Sequence, residues 1–390
     1  MLFFCALRYL WGMSNIDETL ALCALNKLFG YTPAKVLPLL EDSAGAWSLF
    51  QNPDLGLDKA SLDWAAGELE RVRAGGFRFI GLTDEDYPEP LRACPDPPLG
   101  LYLNGTSSPA EIFSLRPMVA IVGTRDISPY GKDWCQRIVR CLADAPVQPV
   151  IVSGLAIGAD GIAHREALEA GIGTVGVMAT GIERVYPWQH EALAARMVRT
   201  PGCAILTDYP LGTAPVAQNF IRRNRIIAGL ARGIIVVESK SRGGSLMTAR
   251  YGCDYARDVY ALPGRADDLR SAGCNSLIRE QMAEIITTPE DLAARLGLGA
   301  PVRGSGGSWI TGPEGYRNAL EKHYGTGAGP GPDAIRLGMA VYRQRGIGPE
   351  ELAAQLRLPY PHVLQLISLM EADGFIVTDL LRRCTARERR

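Results

Sequence analysis

The sequence predicts an α/β protein with an extended parallel sheet that helices cover on both faces, and three observations carry this prediction. Six short apolar runs, rich in β-branched residues, recur roughly every 25–30 residues between 118 and 262, which is the spacing of strand–helix units. Each run is apolar at consecutive positions, which is typical of strands buried on both faces. Segments with a helical pattern separate the runs, so a helix is expected in each connection.

The elements of this Rossmann-like core are expected over 106–296. The predicted strands are Val119–Val122, Val150–Val152, Thr174–Met178, Ala204–Leu206, Ile234–Val237 and Val259–Leu262. The predicted helices are Asp133–Leu142, Ala159–Ala170, His190–Val198, Phe220–Ala231 and Ser245–Arg257.

Residues 1–105 predict a small helical domain, of the SAM or helix-hairpin-helix kind, followed by an extended connector. Leucines recur at near-helical spacing after Asp17 until Gly30 stops the pattern, and further helices are expected at Pro33–Leu40 and Leu62–Val72. A proline-punctuated stretch then forms the connector, which has room for an edge strand. The acidity of the domain favours a structural or protein-binding role over a DNA-binding one.

Beyond the core, the sequence predicts a linker and a second small domain. Residues 297–332 hold eleven glycines, a composition typical of a linker, with one helix expected at Tyr316–His323. Residues 333–390 show three helical patterns followed by a strand, which is the order of elements in a winged helix. Its last helix, Pro361–Ala372, contains no Lys or Arg, so we interpret the domain as an auxiliary or protein-binding module. The Arg-rich end is expected to form a basic tail.

Composition excludes several classes of protein. No apolar run approaches the ~18 residues of a membrane span, and the apolar opening at Met1–Trp11 lacks the basic leader of a signal peptide. The nine cysteines form no Cys-x-x-Cys pair and the four histidines are scattered, so neither a disulfide framework nor a metal site is predicted. We therefore expect a cytoplasmic protein with no cofactor.

A net charge of -1 conceals one concentrated basic stretch. Val216–Arg250 carries seven Lys or Arg residues and a single acidic residue, Glu238. Such a stretch can focus an anionic ligand. Glu238 is not interpreted as a catalytic acid, because no carboxylate or histidine is evident to pair with it.

Ligands of a doubly wound sheet bind beyond the carboxyl ends of its strands, so the residues there are the candidates. After the first strand, Arg125 can fork onto a phosphate, or pair with a nearby carboxylate. After the second strand, glycines open a helix whose N–H groups suit an anion, although any tight turn needs glycine. Asp160 and His164 lie one helical turn apart, and a structural contact between them is preferred to a catalytic dyad. Tyr186-Pro187 shapes either the crevice wall or a plain turn.

The strongest local signal opens the helix at Phe220. Three arginines in four residues beside an aromatic ring suit single-stranded nucleic acid, because arginines neutralise phosphates and a ring stacks on an unpaired base. At least one of these arginines is expected to face away and form an ion pair, since neighbouring helical residues do not share a face. The glycines before Ser245 form a second anion-ready helix start. The candidate binding residues are Gly123, Thr124, Arg125, Ser153, Gly154, Gly158, Phe220, Arg222, Arg223, Asn224, Arg225, Gly244 and Ser245, and no catalytic residue is predicted.

Several motifs, in this order and spacing, resemble the DNA-processing protein A family (DprA/Smf) across most of the chain. They are Tyr87-Pro88 with Leu91-Arg92 and Asp96-Pro97-Pro98, Ile121 to Arg125, Ser153 to Asp160 with Ala163-His164, Gly181 with Tyr186-Pro187, Arg223 to Gly229, Gly244 to Ala249, and Leu262-Pro263-Gly264 with Gly273 and Asn275. The resemblance implies a Rossmann core that dimerises, holds single-stranded DNA in a basic pocket, and loads RecA recombinase during natural transformation (competence) or repair. It assigns the pocket arginine to Arg125 and the base-contacting aromatic to Phe220, and the flanking domains match known family layouts.

The chain departs from the family at Ile157, where a Lys or Arg is common, at Ile221, where a Pro is common, at Ala217 and at Gly243. Two other functions stay open. A nucleotide-metabolising, phosphoribohydrolase-like enzyme would release ribose phosphate, but the stretch Arg242–Ala249 lacks the glutamate of that class. A duplex-binding regulator would prefer duplex to single strand.

Overall fold

The computed structural model describes residues 15–299, 312–325, 331–344, 346–379 and 382–386. The chain divides into two compact units, residues 1–302 and residues 303–390. The apolar opening at Met1–Trp11 and the end of the Arg-rich tail lie outside the described residues.

Nine strands of the first unit form one sheet. They are β1 (Arg78–Gly81), β2 (Gly100–Asn104), β3 (Met118–Val122), β4 (Val150–Ser153), β5 (Thr174–Val177), β6 (Ala204–Thr207), β7 (Gly233–Val236), β8 (Asp258–Ala261) and β9 (Glu284–Ile285). Their order in the sheet is β1-β2-β6-β5-β4-β3-β7-β8-β9. The pairings from β6 to β9 are parallel, whereas β1 pairs with β2 and β2 with β6 in antiparallel fashion. The α/β class with a large, mostly parallel sheet is therefore confirmed.

Thirteen helices of the first unit lie before, between and after these strands in the described part. They are α1 (Asn15–Leu28), α2 (Leu37–Glu41), α3 (Ala46–Gln51), α4 (Ala60–Ala74), α5 (Glu89–Arg92), α6 (Pro109–Phe113), α7 (Pro129–Ala143), α8 (Ala159–Glu169), α9 (Glu191–Arg199), α10 (Ala217–Leu230), α11 (Ser245–Asp254), α12 (Ala272–Arg279) and α13 (Pro289–Arg295).

The sheet is buried on both faces, as the consecutive apolar runs predict. Ala120 and Val122 of β3 belong to one apolar core, while Val119 and Ile121 of the same strand belong to a second core. Because successive side chains of a strand point to opposite faces, a strand buried in both cores must be apolar at every position. Because both faces of the sheet are covered, the ends of its strands are where a site can form.

The connector expected before residue 106 contributes to the sheet, in line with the room that it was given for an edge strand. The connector does not only link domains, since β1 and β2 extend the sheet beyond β6. The four helices before β1 have an apolar core of their own, which includes Leu25, Leu49 and Phe50. Glu18 of α1 caps α3 by accepting the backbone N–H groups of Ala46 and Trp47 at 2.7 and 3.0 Å. Their SAM-like or helix-hairpin-helix-like character stays a prediction.

The second unit contains four helices and a two-stranded sheet among its described residues. They are α14 (Gly312–Tyr324), α15 (Gly331–Arg343), α16 (Pro349–Leu356), α17 (Tyr360–Ala372), and the antiparallel pair β10 (Ile376–Thr378) and β11 (Cys384–Ala386). Helix α14 lies inside the segment predicted as a linker, yet Tyr316 and Leu320 are buried in this unit's core. The Tyr316 hydroxyl donates to the carbonyl of Phe375 at 2.7 Å, so α14 is part of the unit. Its winged-helix character stays a prediction.

Within the described ranges, no helix combines the length and apolarity needed to cross a membrane. The eight cysteines placed there are free, and no three His, Cys, Asp or Glu side chains there come together as a metal site would require.

Candidate functional site

The loops after β3, β4 and β7 meet at one edge of the sheet. The strand order reverses at β3, which has β4 on one side and β7 on the other. The backbone of Thr124 ties the three loops together, because its N–H donates to Glu238 O at 2.8 Å and its carbonyl accepts from Ala159 N–H at 3.2 Å. A crevice outside the carboxyl ends of strands, at a point where their order reverses, is where doubly wound sheets bind ligands.

Two glycines make this close approach of loops possible. A Cβ on Gly123 would lie 2.7 Å from the Cβ of Ala159 and 3.2 Å from Glu238 O. Gly158 has a φ of +89°, and a Cβ there would collide with the carbonyl oxygen of Thr124. Both predicted site glycines therefore shape the crevice by allowing backbones to touch.

Arg125 and Phe220 come together at the mouth of the crevice. The guanidinium carbon of the exposed Arg125 lies 5.6 Å from the centre of the Phe220 ring, within range of a cation–π contact. Tyr186 contacts the same ring edge-to-face, with 5.4 Å between ring centres. The structure thus aligns one cation and two half-buried or exposed rings, which suits a ligand carrying both phosphates and unpaired aromatic bases.

The turn after β4 is held from below by two buried histidines. His164 Nε2 lies 2.5 Å from the carbonyl oxygen of Gly154, and His190 Nδ1 lies 2.8 Å from that of Leu155. Burial lowers the pKa of His164 to about 4, and the nearby His190, Arg223 and Arg165 charges act in the same direction. A carbonyl can only accept, so each imidazole donates an N–H to the turn.

The expected Asp160–His164 contact is replaced by other partners. His164 Nδ1 lies 2.7 Å from the hydroxyl of Thr174, while Asp160 accepts the backbone N–H of Ala156 at 3.4 Å. Ser153 is also removed from the surface, because its buried hydroxyl donates to the carbonyl of Ile121 at 2.5 Å. Ser153 therefore holds two strands together rather than presenting its hydroxyl to a ligand.

Arg223 lies inside the protein, against Asp160. A Cβ on Gly154 would collide with the ends of both side chains, so only glycine at this position leaves room for the pair. Burial lowers the pKa of the Arg223 guanidinium and raises that of the Asp160 carboxyl, and the opposite charges offset part of each effect. Arg223 also donates to the carbonyl of Val177. Arg223 and Gly154 consequently build the floor of the crevice and do not reach its surface.

Arg225 is likewise buried, in the ion pair that the helical geometry anticipates for one of the three arginines. Its Nη2 lies 2.8 Å from Asp208 Oδ2, and Nη1 donates to the carbonyl of Asp96 at 2.5 Å. Its side chain is 7% exposed and that of Asp208 is 3% exposed. The Arg225 guanidinium is therefore paired and buried, which keeps it from the surface where a phosphate would bind.

The remaining candidates lie on α10 and at the start of α11, and most of them contact other parts of the protein. Arg222 is half-buried, with Nη1 3.5 Å from the carbonyl of Gly30 in the turn after α1. Asn224 donates to the carbonyl of Gly244 at 3.3 Å, which ties α10 to the start of α11. Ser245 is buried and its hydroxyl donates to that of Ser239 at 2.8 Å. Of this group, Gly244 is exposed beside the loop after β7.

Glu238 caps a helix, in agreement with its non-catalytic interpretation. Its buried carboxylate accepts the backbone N–H of Ser128 at 2.9 Å and the Ser128 hydroxyl, at the start of α7. A carboxylate at this position also complements the positive end of the helix dipole.

An exposed basic group surrounds Asp126, next to Arg125. The Asp126 carboxylate lies 3.8 Å from Lys240 Nζ and 3.5 Å from Arg270 Nε. Two loops that are far apart in the sequence thus bring cations to the same rim. A cavity of about 410 Å³ opens on the other side of Arg125, between α7 and α8, with Lys132, Arg165 and Glu169 among its lining.

The sequence left Tyr186-Pro187 open as either crevice wall or plain turn, and it did not single out Trp188. A turn signal, Tyr186-Pro187, marked the loop, but nothing in the linear sequence shows that the loop reaches Phe220. Lys240 and Arg270 were missed for the same reason, because their proximity to Asp126 depends on how the loops after β7 and β8 fold.

Comparisons with known proteins find relatives of this chain. The sequence pattern of the family described as DNA recombination-mediator protein A matches residues 78–297. Protein Smf of Escherichia coli is 40% identical over 221 residues, which cover 57% of this chain and 57% of that protein. This chain therefore spans little more than half the length of that relative.

Two solved structures are similar in fold and sequence. The X-ray structure of DNA processing protein A from Streptococcus pneumoniae is 30% identical, with a TM-score of 0.55, over 71% of this chain and 92% of that one. DNA processing protein A from Helicobacter pylori, described for its single-stranded DNA binding mode, is 28% identical, with a TM-score of 0.50, over 56% of this chain and 95% of that one.

Proposed function

The chain belongs to the DNA recombination-mediator protein A family, and on that premise we propose that its crevice binds and protects single-stranded DNA. The binding surface in this proposal runs along the loops after β3 and β7 and across the start of α10. Its phosphate contacts come from Arg125, with Lys240 and Arg270 beside it, and its base contact comes from Phe220.

The contact between Arg125 and Phe220 is the single observation that carries the proposal. A ring that packs against an exposed guanidinium, with its other neighbour an exposed tyrosine, is placed to stack on a base while the cation meets the adjacent phosphate. Bases in a duplex are already stacked and paired, so this arrangement favours an unpaired strand.

The proposal keeps only part of the predicted residue set in contact with DNA. Gly123, Thr124, Arg125, Phe220 and Gly244 are its contact residues. Arg222 and Asn224 flank them, and the buried members support the crevice from beneath; these are Ser153, Gly154, Gly158, Arg223, Arg225 and Ser245.

We further propose that the protein loads RecA recombinase onto the bound strand during natural transformation or recombination. In this proposal it acts in the cytoplasm as a homodimer and carries out no chemical reaction. The family supports this role, as do the DNA-processing relatives. The helices before β1 and the second unit then serve as auxiliary modules.

The test is fluorescence anisotropy of a labelled single-stranded oligonucleotide, titrated with the protein and challenged with unlabelled single strand or duplex. The proposal expects the single strand to compete better than an equal concentration of duplex. Its log affinity should fall with log salt by about 0.7 for each phosphate contacted. Equal competition by duplex contradicts it, and release of ribose phosphate from a nucleoside monophosphate favours the phosphoribohydrolase-like enzyme instead.

A further inference from the structure

Trp188 is a large apolar side chain that lies 71% exposed in the loop after β5. The side chain belongs to a short helical turn, Trp188–His190, which is held in place by two contacts. The backbone N–H of His190 donates to the carbonyl of Pro187 at 3.0 Å, and the His190 ring is fixed to Leu155 O in the adjacent loop. Tryptophan is enriched at binding interfaces, because its large ring supplies much contact area.

Trp188 lies in the same loop as Tyr186, whose ring contacts Phe220. Tyr186, two residues earlier, is 43% exposed and packs against Phe220. Between the loops of β3 and β5 lies the loop of β4, where Ile157 is 46% exposed. Neighbouring strands are about 4.8 Å apart, so the loops of β3 and β5 are separated by roughly 10 Å along the sheet edge.

Exposed arginines lie in and beside the loop of Trp188, and Glu183 and Glu191 there are exposed as well. Arg184 is exposed in the same loop, while the carboxylate of Glu183 accepts the backbone N–H of Gly212 at 2.8 Å. Arg165, at the start of the neighbouring cavity, is exposed and lies 3.5 Å from His190 Nε2. Apolar rings between cations are the pattern that stacks bases while neutralising their phosphates.

We propose that Tyr186 and Trp188 form a second stacking position, which receives another unpaired base of the strand held at Arg125 and Phe220. This inference rests on the proposed function and extends its binding path across the loops of β4 and β5.

Trp188→Ala is expected to weaken single-strand binding about 5-fold to about 150-fold, the range measured for loss of one stacked base. Trp188→Phe keeps a ring and should retain most of the affinity. Leu115→Ala is the matched control, because Leu115 is also 71% exposed but precedes β3, at the opposite edge of the sheet. It should bind as the unaltered protein does.

Oligonucleotides that carry one abasic site at successive positions complete the experiment. In the unaltered protein, two positions should lose affinity on base removal; in Trp188→Ala one of those two should become insensitive, because its partner is already missing. If the unaltered protein binds, Phe220→Ala weakens binding and Trp188→Ala does not, the second position is refuted while the proposed function stands. If the unaltered protein does not bind single strands, both are overturned.

Discussion

Lowering the pH from 7 to 5 should destabilise the first unit through His164, the buried imidazole that supports the turn after β4. The unfolded chain has an ordinary histidine pKa of 6.5, whereas burial lowers the folded value to about 4. Between these two values the unfolded chain binds a proton that the folded chain does not. Folding stability from this group is therefore complete above about pH 6.5 and is lost as the pH falls toward 4.

The size of the effect follows from the two pKa values. Their difference, 6.5 minus about 4, corresponds to roughly 3 kcal/mol once the pH is below both values, at 1.36 kcal/mol for each pKa unit. Only part of this range is crossed between pH 7 and pH 5, so about 2 kcal/mol is lost there. The free energy calculated from the pKa difference needs no reduction for screening by water, because the His164 side chain is 0% exposed.

Urea unfolding at both pH values, for the unaltered protein and for His164→Gln, measures this loss. Five of the six tryptophans precede residue 303, so tryptophan fluorescence follows mainly the first unit. The glutamine amide can still donate to Gly154 O but does not titrate, and the carboxylates titrate alike in both proteins. The unaltered protein should therefore lose about 2 kcal/mol more than the variant on acidification. Equal losses would refute the assignment of a neutral, pKa-lowered His164.

Three substitutions test the packing and chemistry of the crevice. Gly158→Ala should reduce both stability and single-strand affinity, because its Cβ collides with Thr124 O. The control Gly212→Ala also has a positive φ, +84°, but has open space around it, so it should show backbone strain without a collision. Asp208→Asn should lower the free energy of unfolding in urea by about 3 kcal/mol, since it leaves Arg225 buried beside a neutral group. Phe220→Ala should lose roughly 1–3 kcal/mol of binding free energy in an anisotropy titration, with an unchanged salt slope.

The contrasting results are equally definite. A Gly158→Ala protein no less stable than Gly212→Ala would show that the loops do not touch as described. The half-exposed pair Arg295–Asp291 serves as the control for Asp208, and Asp291→Asn should change stability by less than about 1 kcal/mol. An effect of Asp208→Asn no larger than that would contradict a buried ion pair. An unchanged affinity for Phe220→Ala would assign Phe220 to packing alone.

The parallel core was predictable because burial on both faces leaves a strong mark on a sequence. All six predicted strands and the helices between them are present, with ends that differ by a few residues. The connector was given room for an edge strand, which β2 provides, whereas β1 was not predicted. Proline signals around Tyr87 described the irregular chain between these strands, whereas a short strand such as Arg78–Gly81, only partly buried, has little apolar pattern.

For the proposed site, the sequence indicated which loops carry the candidate residues but not the direction of each side chain. The rule that ligands bind at strand ends identified the loop of Arg125, and an aromatic beside arginines identified Phe220. Which arginine of α10 faces water depends on where the helix packs. Periodicity alone could not show that Asp160 lies beside Arg223, or that Asp208 pairs with Arg225. Buried charges require partners brought from distant segments, so they are visible only in the folded chain.

The most direct test of a single-strand site at Arg125 compares Arg125→Ala with Arg116→Ala by fluorescence anisotropy at several salt concentrations. Arg116 is an exposed arginine just before β3, and Arg125 follows the same strand at its other end. We expect Arg125→Ala to weaken single-strand binding and to lower the magnitude of the log–log salt slope by about 0.7, while Arg116→Ala should change neither. Equal behaviour of the two variants would contradict a single-strand site at the carboxyl edge of the sheet.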